Sequence, residues 1–377
     1  MRLMATKLLF SFLLIAAGAA AQWQTAPVQV PTTASLRGLS PVDAKVVWAS
    51  GTNGTVLRTI DGGETWEVRR VAGAEKLDFR GIRAFDANTA VAMSSGKAEE
   101  GLARIYRTSD GGLHWSLVLE EKTPGVFFDA IAFWDREHGI VVSDPVNGRF
   151  VLFVTADGGK TWKRIAPEKI PPALPNEGAF AASNSCLAVQ GERNVWFGTG
   201  GAGVARVFRS SDGGHSWTAT KTPMHPPNAS SGVFSIAFRD GRNGVAVGGD
   251  YAHADSSAMP NVLFTSDGGK TWRAVETTSP AGVYLSSVTY VPEVRGAESA
   301  SGERILAAGS AGIFLKEAGK GWVRENDGDF NVIAFVSAGN AWAVGPKGKV
   351  VGLKKEEKHL TQSSRRTQRT RRKLGEI

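Results

Sequence analysis

Short apolar runs separated by glycine-rich polar turns recur along this chain. The run Val262-Leu263-Phe264, for example, leads into the turn Thr265-Ser266-Asp267-Gly268-Gly269-Lys270-Thr271-Trp272. Short apolar runs bounded by Asp-Gly or Gly-Gly pairs are typical of β-strands joined by tight turns. The 45 glycines of the chain fit many such turns. The pattern therefore predicts an all-β fold.

The turn sequence is repeated along the chain. Four further copies read TIDGGETW, TSDGGLHW, TADGGKTW and SSDGGHSW, and a degraded sixth, LKEAGKGW, ends at Trp322. The five aspartates are 49, 47, 55 and 55 residues apart, and such a spacing indicates a repeat architecture. The aspartates and tryptophans of the five intact turns are Asp61, Trp66, Asp110, Trp115, Asp157, Trp162, Asp212, Trp217, Asp267 and Trp272.

Each copy has a mechanical interpretation. An aspartate before two glycines can accept hydrogen bonds from the backbone of its own turn, and glycine adopts positive φ without steric cost. The tryptophan opens the next strand, where we expect it to pack between neighbouring sheets. We therefore interpret these aspartates and tryptophans as structural, with no catalytic or metal-binding role.

The motif S/T-x-D-x-G-x-T-W resembles the Asp-box of the BNR-type β-propellers, which include sialidases and many other proteins. The resemblance implies a ring of sheets with the boxes on the outer strands, away from the substrate. Six full units can be counted from Ser35 onward, and a seventh stops one strand short near Leu353. Because a propeller must close to remove its sheet edges, we expect the strand-like segment Trp23 to Val28 to complete the seventh blade.

The formal net charge of +8 is concentrated at the two ends of the chain. Arg2 and Lys7 contribute two positive charges, residues 354–377 carry nine Lys or Arg against three Glu, and residues 22–353 are neutral. The high charge therefore does not indicate a specific nucleic-acid-binding fold. The basic tail, residues 354–377, is predicted to be disordered and either solvated or in contact with an anionic surface.

The N-terminus has the features of a secretory signal peptide. Two basic residues precede an apolar segment from Leu8 to Ala17, and Ala19-Ala20-Ala21 offers a cleavage site. We predict a signal peptide at 1–21, a propeller at 22–353, and an exported monomer in the periplasm or outside the cell. The single cysteine, Cys186, excludes an intramolecular disulfide and is expected to be a buried apolar residue. No His or Cys pair stands at metal-ligand spacing, so no metal and no cofactor is predicted.

Candidate binding residues lie where the inner strands begin and in the turns between the second and third strands, both on the face opposite the Asp-boxes. Arg37 and Arg80 occupy equivalent positions in adjacent units and suit a carboxylate or sulfate; alternatively, each pairs with an acidic residue across the channel. The acidic residues could instead form a carboxylate pair for glycoside hydrolysis or a lyase reaction. The predicted binding residues are Arg37, Arg80, Asp129, Asp144, Glu177, Asp250 and Tyr251.

A second resemblance covers the whole body of the chain. The runs Phe79-Arg80-Gly81-Ile82, Phe127-Phe128-Asp129-Ala130-Ile131, Ser143-Asp144-Pro145 and Gly248-Gly249-Asp250-Tyr251, together with the Asp-boxes and the signal peptide, look like exported propellers related to the photosystem II stability and assembly factor. The resemblance implies a non-catalytic chaperone with an arginine patch for a membrane-protein partner. We therefore expect a non-catalytic propeller that binds a protein or an anionic ligand such as a glycan, with a sialidase-like hydrolase or lyase as the alternative.

Overall fold

The chain forms seven four-stranded antiparallel sheets. The computed structural model describes residues 23–255, 259–274, 282–292 and 304–355, and within these ranges every named strand belongs to one of the seven sheets. This arrangement confirms the predicted all-β, seven-bladed propeller.

The strands follow the chain blade by blade, from the innermost strand outward. Blade 1 contains β2 (Leu36–Pro41), β3 (Val47–Gly51), β4 (Thr55–Thr59) and β5 (Glu67–Val68), and blade 2 contains β6 (Asp78–Ala84), β7 (Ala90–Ser95), β8 (Arg104–Thr108) and β9 (Ser116–Glu120). Blade 3 contains β10 (Phe128–Phe133), β11 (His138–Val146), β12 (Arg149–Ala156) and β13 (Lys163–Arg164), and blade 4 contains β14 (Leu187–Gln190), β15 (Asn194–Gly198), β16 (Arg206–Ser210) and β17 (Thr218–Lys221).

The remaining blades repeat the scheme. Blade 5 contains β18 (Ser231–Phe238), β19 (Gly244–Asp250), β20 (Val262–Thr265) and β21 (Arg273–Ala274), and blade 6 contains β22 (Leu285–Tyr290), β23 (Arg304–Gly309), β24 (Gly312–Glu317) and β25 (Trp322–Asn326). Blade 7 contains β26 (Val332–Ser337), β27 (Asn340–Val344), β28 (Val350–Lys355) and the N-terminal β1 (Trp23–Val28). In the described part of the chain, three short 3-10 helices lie between strands, at Ala98–Glu100, Pro167–Lys169 and Tyr251–His253.

The N-terminal strand closes the ring, as predicted. β1 pairs antiparallel with β28 in an unbroken register from Trp23 opposite Lys355 to Val28 opposite Val350. β28 therefore runs two residues beyond the predicted end of the propeller at residue 353. The predicted signal peptide and the tail from residue 356 onward lie outside the described residues.

The hydrophobic core is divided among the interfaces between blades. Seven clusters each join two successive blades, and one of them joins blade 7 to blade 1. Each cluster contains or contacts one tryptophan at the start of an outer strand, which bears out the expected packing between sheets. In the cluster between blades 6 and 7 this residue is Trp23 of β1. The seven are Trp66, Trp115, Trp162, Trp217, Trp272, Trp322 and Trp23.

The Asp-box turns are held by their own side chains. Asp61 accepts hydrogen bonds from the Thr59 hydroxyl at 2.7 Å and from the backbone N–H of Thr65 at 3.0 Å. Gly62 and Gly63 follow with φ of 79° and 90°, a region that a residue with a side chain rarely adopts. In the equivalent turn of blade 3, burial acts to raise the pKa of Asp157, but hydrogen bonds led by the Thr161 hydroxyl lower it to about 2. The aspartates are thus engaged in building the turns.

The innermost strand of blade 4 is interrupted by a loop. Gly178 pairs with Gly200, and the ladder resumes where Leu187 pairs with Phe197. Between these two pairs the inner strand advances by nine positions, whereas its partner advances by three. We call the extra segment, residues 179–186, the channel loop, because its polar groups bond to inner strands of other blades.

The channel loop crosses the central channel. The Asn184 side chain accepts a hydrogen bond from the backbone N–H of Ile131 in blade 3 at 2.8 Å and donates one to its carbonyl at 3.1 Å. The Ser183 hydroxyl donates to the carbonyl of Ser286 in blade 6 at 2.5 Å. The carbonyl of Ser185 accepts from the N–H of Ile236 in blade 5 at 2.8 Å. The loop therefore ties opposite sides of the ring together.

Candidate functional site

The upper face, where the innermost strands begin, presents side chains re-aimed by β-bulges. In five blades the ladder between the first two strands shifts register at its start. A bulge turns the extra residue out of the regular alternation. The residues on either side of the bulge stay paired in the sheet, so the bulge residues of adjacent blades lie at equivalent positions around the channel. The bulge residues are Arg37, Arg80, Asp129, Phe234 and Ser286.

Arg37 and Arg80 lie close together above the channel loop. Arg80 donates from Nε to Asp78 at 2.7 Å and from Nη1 to the carbonyl of Ala181 at 3.2 Å. Arg37 Nη1 reaches the carbonyl of Ala182 at 3.5 Å, while its Nε has no partner. Burial and the positive charge of Arg80 lower the pKa of Arg37. Asp78 and Asp329 act in the opposite direction, and among the described residues only Arg80 of the two arginines is hydrogen-bonded to a carboxylate.

The alternative pairing across the channel is not formed. Among the described residues, neither arginine makes an ion pair with Asp129, Asp144 or Glu177. The Glu177 carboxylate is completely buried and is paired in a fork with the guanidinium of Arg206. It also accepts from the Thr199 hydroxyl at 2.6 Å. Because Glu177 is occupied within blade 4, our proposed site does not include it.

Asp129 and Asp144 are close enough to interact electrostatically, and Asp129 is buried whereas Asp144 is half-buried. Asp129 is 1% exposed and its Oδ2 has no hydrogen-bond partner. Burial and the nearby Asp144 raise the pKa of Asp129 well above its usual range. Burial likewise raises the pKa of Asp144 to about 6, although its Oδ1 accepts from the backbone N–H of Ala179 at 3.0 Å.

Replacing Asp144 by asparagine is expected to stabilise the protein more at about pH 8 than at about pH 5. The folded-state pKa of about 6 lies above the ordinary value of 3.8, so the carboxyl favours folding at low pH and this contribution is lost as pH rises from about 4 to 6. Asparagine does not ionise and keeps an oxygen that can accept from Ala179. The free energy of unfolding at about pH 8 should therefore rise by up to about 3 kcal/mol. Urea unfolding at the two pH values measures it.

The exposed Asp327→Asn variant is the control for this pH comparison, because the Asp327 side chain is 85% exposed. Its effect should be small at both pH values. An Asp144→Asn gain that is equal at both pH values, or a loss that grows with pH, would contradict the assignment of a raised pKa to Asp144.

Asp250 organises the segment that carries Tyr251. Its carboxylate accepts from the Ser230 hydroxyl at 2.6 Å, the Asn228 amide at 2.8 Å and the N–H of Ala252 at 2.9 Å. Although burial acts to raise it, these hydrogen bonds hold the pKa of Asp250 well below its usual range. The Asp250 carboxylate is therefore engaged by neighbouring donors, and these hydrogen bonds fix the position of Tyr251.

Tyr251 is the exposed edge of an aromatic cluster that the sequence did not predict. The Tyr251 side chain is 56% exposed, and its ring lies 6.0 Å from that of Phe234 and 6.4 Å from that of Tyr284. Phe180 of the channel loop stacks on Phe234 with ring centroids 3.8 Å apart. Tyr284 is close enough to interact electrostatically with Arg37. Tyr284 therefore places the aromatic cluster near Arg37.

Ser235, the residue after Phe234, faces the interior instead of the mouth of the channel. Ser235 is buried, accepts from the N–H of Val288 at 2.9 Å and accepts from the Ser185 hydroxyl at 2.8 Å. The bulge between Val233 and Ser235 shifts the side-chain alternation by one residue. Arg37 and Arg80 each follow a buried apolar residue, and Phe234 follows Val233 in the same way. This similarity was the signal that could have identified Phe234.

The lower face, which carries the Asp-boxes, contains a separate cavity at the boundary between blades 3 and 4. It has a volume of about 760 Å³ and is lined in part by Asp157 and Asp212. Both carboxylates are engaged in their turns. Among the described residues, no group of three or more His, Cys, Asp or Glu side chains could hold a metal ion. In the same part of the chain, no helix has the length and apolar character needed to cross a membrane.

Comparison with known proteins connects this geometry to a specific group of propellers. Residues 15–126 match the family model described as photosynthesis system II assembly factor YCF48. The chain is 24% identical over 344 residues to the chloroplastic photosystem II stability/assembly factor HCF136 of Cyanidioschyzon merolae, an alignment that covers 78% of this chain and 74% of that protein. The chain is therefore similar to BNR-type propellers of the photosystem II assembly factor kind.

Solved structures agree on the fold. The structure of YCF48 bound to D1 peptide superposes with a TM-score of 0.59 at 18% identity, covering 90% of this chain and 98% of that one. An ancestral GH74 enzyme superposes with a TM-score of 0.61 at 14% identity, covering 88% of this chain and 46% of the enzyme. Since both identities are low and one of the two proteins is an enzyme, the superpositions show the fold alone.

Proposed function

We propose that this chain is an exported, non-catalytic propeller that captures a segment of a protein partner on its upper face. The observation that carries the proposal is that Arg37 and Arg80 lie close together and that Tyr284, which neighbours the exposed Tyr251, lies near Arg37. Among the described residues, Arg80 pairs with Asp78 and no carboxylate is hydrogen-bonded to Arg37. Arginine and tyrosine are the residue types that dominate binding energy in protein interfaces.

The chemistry of this surface favours an acidic segment with an adjacent apolar or aromatic residue. A carboxylate can bond to one or both guanidiniums, which recognise it in a planar fork. The neighbouring side chain would then pack on Tyr251. A relative of similar fold has been solved with a bound peptide, which supports a protein segment as the partner. An anionic glycan could also pair with the two arginines, and it is kept as an outcome of the test below.

The burial of Asp129 argues against the alternative of glycoside hydrolysis. Glycosidases need two carboxyl groups flanking a bond of the bound sugar. Asp129 is 1% exposed, and a substrate on the upper face would not touch it. Asp250 is held by neighbouring donors, and Glu177 by Arg206. We further propose that residues 1–21 direct export and that the basic tail contacts an anionic surface.

Replacing Arg37 and Arg80 together by glutamine is expected to weaken partner capture at least about tenfold, because each charge-assisted hydrogen bond contributes about 1.5–3 kcal/mol. Glutamine keeps donors for the carbonyls of the channel loop, so the melting temperature should change little. Crosslinking and pull-down from an extract of the exported fraction would identify the partner, and titration of the purified partner would then measure the loss of affinity.

Arg193→Gln is the matched control, because Arg193 is an exposed arginine on the lower face. It should capture the partner as well as the unchanged protein does. Equal capture by the double variant would contradict the proposal. Binding to an anionic glycan array without any protein capture, or turnover of a glycan that is lost in Asp129→Asn, would replace it with the alternatives.

A further inference from the structure

The basic tail leaves the ring on the lower face. It begins with Lys354 and Lys355, the last two residues of β28. β28 runs from the upper face to the lower face, and the backbone N–H of Lys355 donates to the carbonyl of Gly339, in the lower turn of blade 7, at 2.9 Å. The N-terminal strand begins at the same place, because Trp23 pairs with Lys355. The rest of the tail therefore continues from the lower side of blade 7.

Further basic side chains of blade 6 surround this exit point. Burial and the positive charge of Arg304 lower the pKa of Lys355, while Glu317 acts in the opposite direction. Arg304 is opposite Glu317 in the ladder between β23 and β24, and Lys320 donates to Glu317 at 2.6 Å. With Glu317 and the nearby Glu325, five basic residues give a local net charge of +3 among the described residues. These five, which we call the exit patch, are Arg304, Lys316, Lys320, Lys354 and Lys355.

The positive charge is local to this part of the ring. Residues 22–353 are neutral as a whole. On the lower face of blades 1 and 2, Asp61 and Asp110 keep their negative charge, because hydrogen bonds from residues of the same turn hold the pKa of each well below its usual range. The exit patch, by contrast, leads along the chain into residues 365–373, which include six Lys or Arg and no Asp or Glu. An anionic surface would therefore meet the ring at blades 6 and 7.

We propose that the exit patch and the basic tail dock the lower side of blades 6 and 7 on a lipid bilayer that contains anionic lipids. The inference rests on the contact of the tail with an anionic surface in the proposed function, and it names that surface and the side of the ring that meets it. Clusters of Lys and Arg are attracted to the negative potential of anionic lipids, and each basic residue near the surface strengthens binding about fivefold.

An exposed apolar side chain beside the exit patch favours a bilayer over a soluble polyanion. Val323 is 55% exposed and pairs with Leu315, the residue before Lys316. Apolar and cationic side chains together suit the boundary between lipid headgroups and acyl chains, whereas a nucleic acid in solution offers no apolar layer. Docked in this way, the protein turns Arg37, Arg80 and Tyr251 away from the lipid and towards a partner.

Co-sedimentation with phosphatidylcholine vesicles, with and without about one third phosphatidylglycerol, tests this proposal. Every protein in the test begins at residue 22, so that the apolar segment from Leu8 to Ala17 does not insert into the lipid. The protein should bind the anionic vesicles and not the neutral ones. Binding should weaken as the salt concentration rises from about 0.1 to 0.5 M, because ions screen the charges of the exposed side chains.

Two pairs of substitutions locate the docking surface on the ring. Lys320→Gln combined with Lys354→Gln removes two exposed charges of the exit patch and should weaken binding to the anionic vesicles about 10- to 30-fold. Lys160→Gln combined with Lys270→Gln is the matched control, because both lysines are exposed in the lower-face Asp-boxes of blades 3 and 5. Its binding should change less than about twofold, since those charges lie on another part of the ring.

A fluorescent label reports the orientation of the docked ring. Ser337→Cys places the label on the lower side of blade 7, and Asp327→Cys places it on the upper side of blade 6. Cys186 is buried and should not take up the label. Spin-labelled lipid in the anionic vesicles should quench the label at residue 337 more strongly than the label at residue 327.

The outcomes separate docking from capture of a partner on the upper face. The double glutamine variant of Arg37 and Arg80 should bind the vesicles as the unchanged protein does, so a failure of partner capture alone would leave the docking surface standing. Failure to bind anionic vesicles, an equal loss in the control pair, or equal quenching of the two labels would overturn the inference. Binding to a DNA oligonucleotide or to heparin without binding to vesicles would replace the bilayer with a soluble polyanion.

Discussion

A chain that begins at residue 29 is expected to lose its cooperative unfolding transition, whereas a chain that begins at Trp23 is expected to keep it. Without β1, blade 7 has three strands and β28 becomes an exposed edge. The deletion removes a six-residue ladder and a tryptophan that is 4% exposed. Burial of a tryptophan alone contributes about 3–5 kcal/mol, a large part of the stability of an ordinary domain. Urea unfolding followed by tryptophan fluorescence measures the change.

Two further measurements make this test specific. Trp23→Ala in the chain that keeps β1 should lose about 3–5 kcal/mol with the same cooperativity, because the ladder remains. A synthetic peptide with the sequence of residues 23–28, added to the shortened chain, should restore part of the lost stability in a concentration-dependent way. An unchanged midpoint and slope for the shortened chain would show that closure by β1 does not hold the ring together.

Breaking the buried pair of Glu177 and Arg206 from one side is expected to have the second largest effect. Both Glu177→Leu and Arg206→Met should cost about 3–5 kcal/mol, because each leaves an uncompensated charge in the interior. Glu177 is completely buried and the Arg206 side chain is 10% exposed. The double variant should be much less destabilised than the sum of the two, since replacing both charges by apolar groups of similar size is often close to neutral. Chemical denaturation of the four proteins gives the coupling.

The exposed ion pair of Arg324 and Asp327 provides the comparison for this cycle. Its side chains are 50% and 85% exposed, and pairs of this kind contribute about 0–1 kcal/mol. Asp327→Asn should therefore have little effect. If the Glu177 and Arg206 losses simply add, the two residues act independently and the interpretation of Glu177 as an internally satisfied group fails.

The repeats determined how much of the fold could be predicted. A turn that needs an aspartate and two glycines leaves a visible pattern, and its spacing implies equal sheets. A seventh unit that lacked its last strand and an unassigned strand at the other end together indicated closure at Trp23. Arg37 and Arg80 were found because Arg37-Gly38-Leu39 and Arg80-Gly81-Ile82 are alike in adjacent units. These predictions rest on local sequence or on repetition.

The rest of the site depends on contacts between distant parts of the chain. Glu177 was predicted as a binding residue, but its carboxylate is paired with Arg206, which is 29 residues away, and no local pattern joins the two. The channel loop follows a proline-rich segment without a repeat equivalent, so its path could not be derived by comparison with other blades. The bulge in β18 shifts the side-chain alternation by one residue, so Phe234 faces the channel mouth and Ser235 faces the interior.

The loop that crosses the centre also makes this ring unlike an open pore. Its hydrogen bonds to blades 3, 5 and 6 place its backbone across the axis of the ring. Ala181 contacts Arg80 on the upper side, while Asn184, three residues later, lines a cavity at the lower ends of the innermost strands. This short stretch of backbone is a septum, and it is the most direct physical connection by which occupation of one end could be felt at the other.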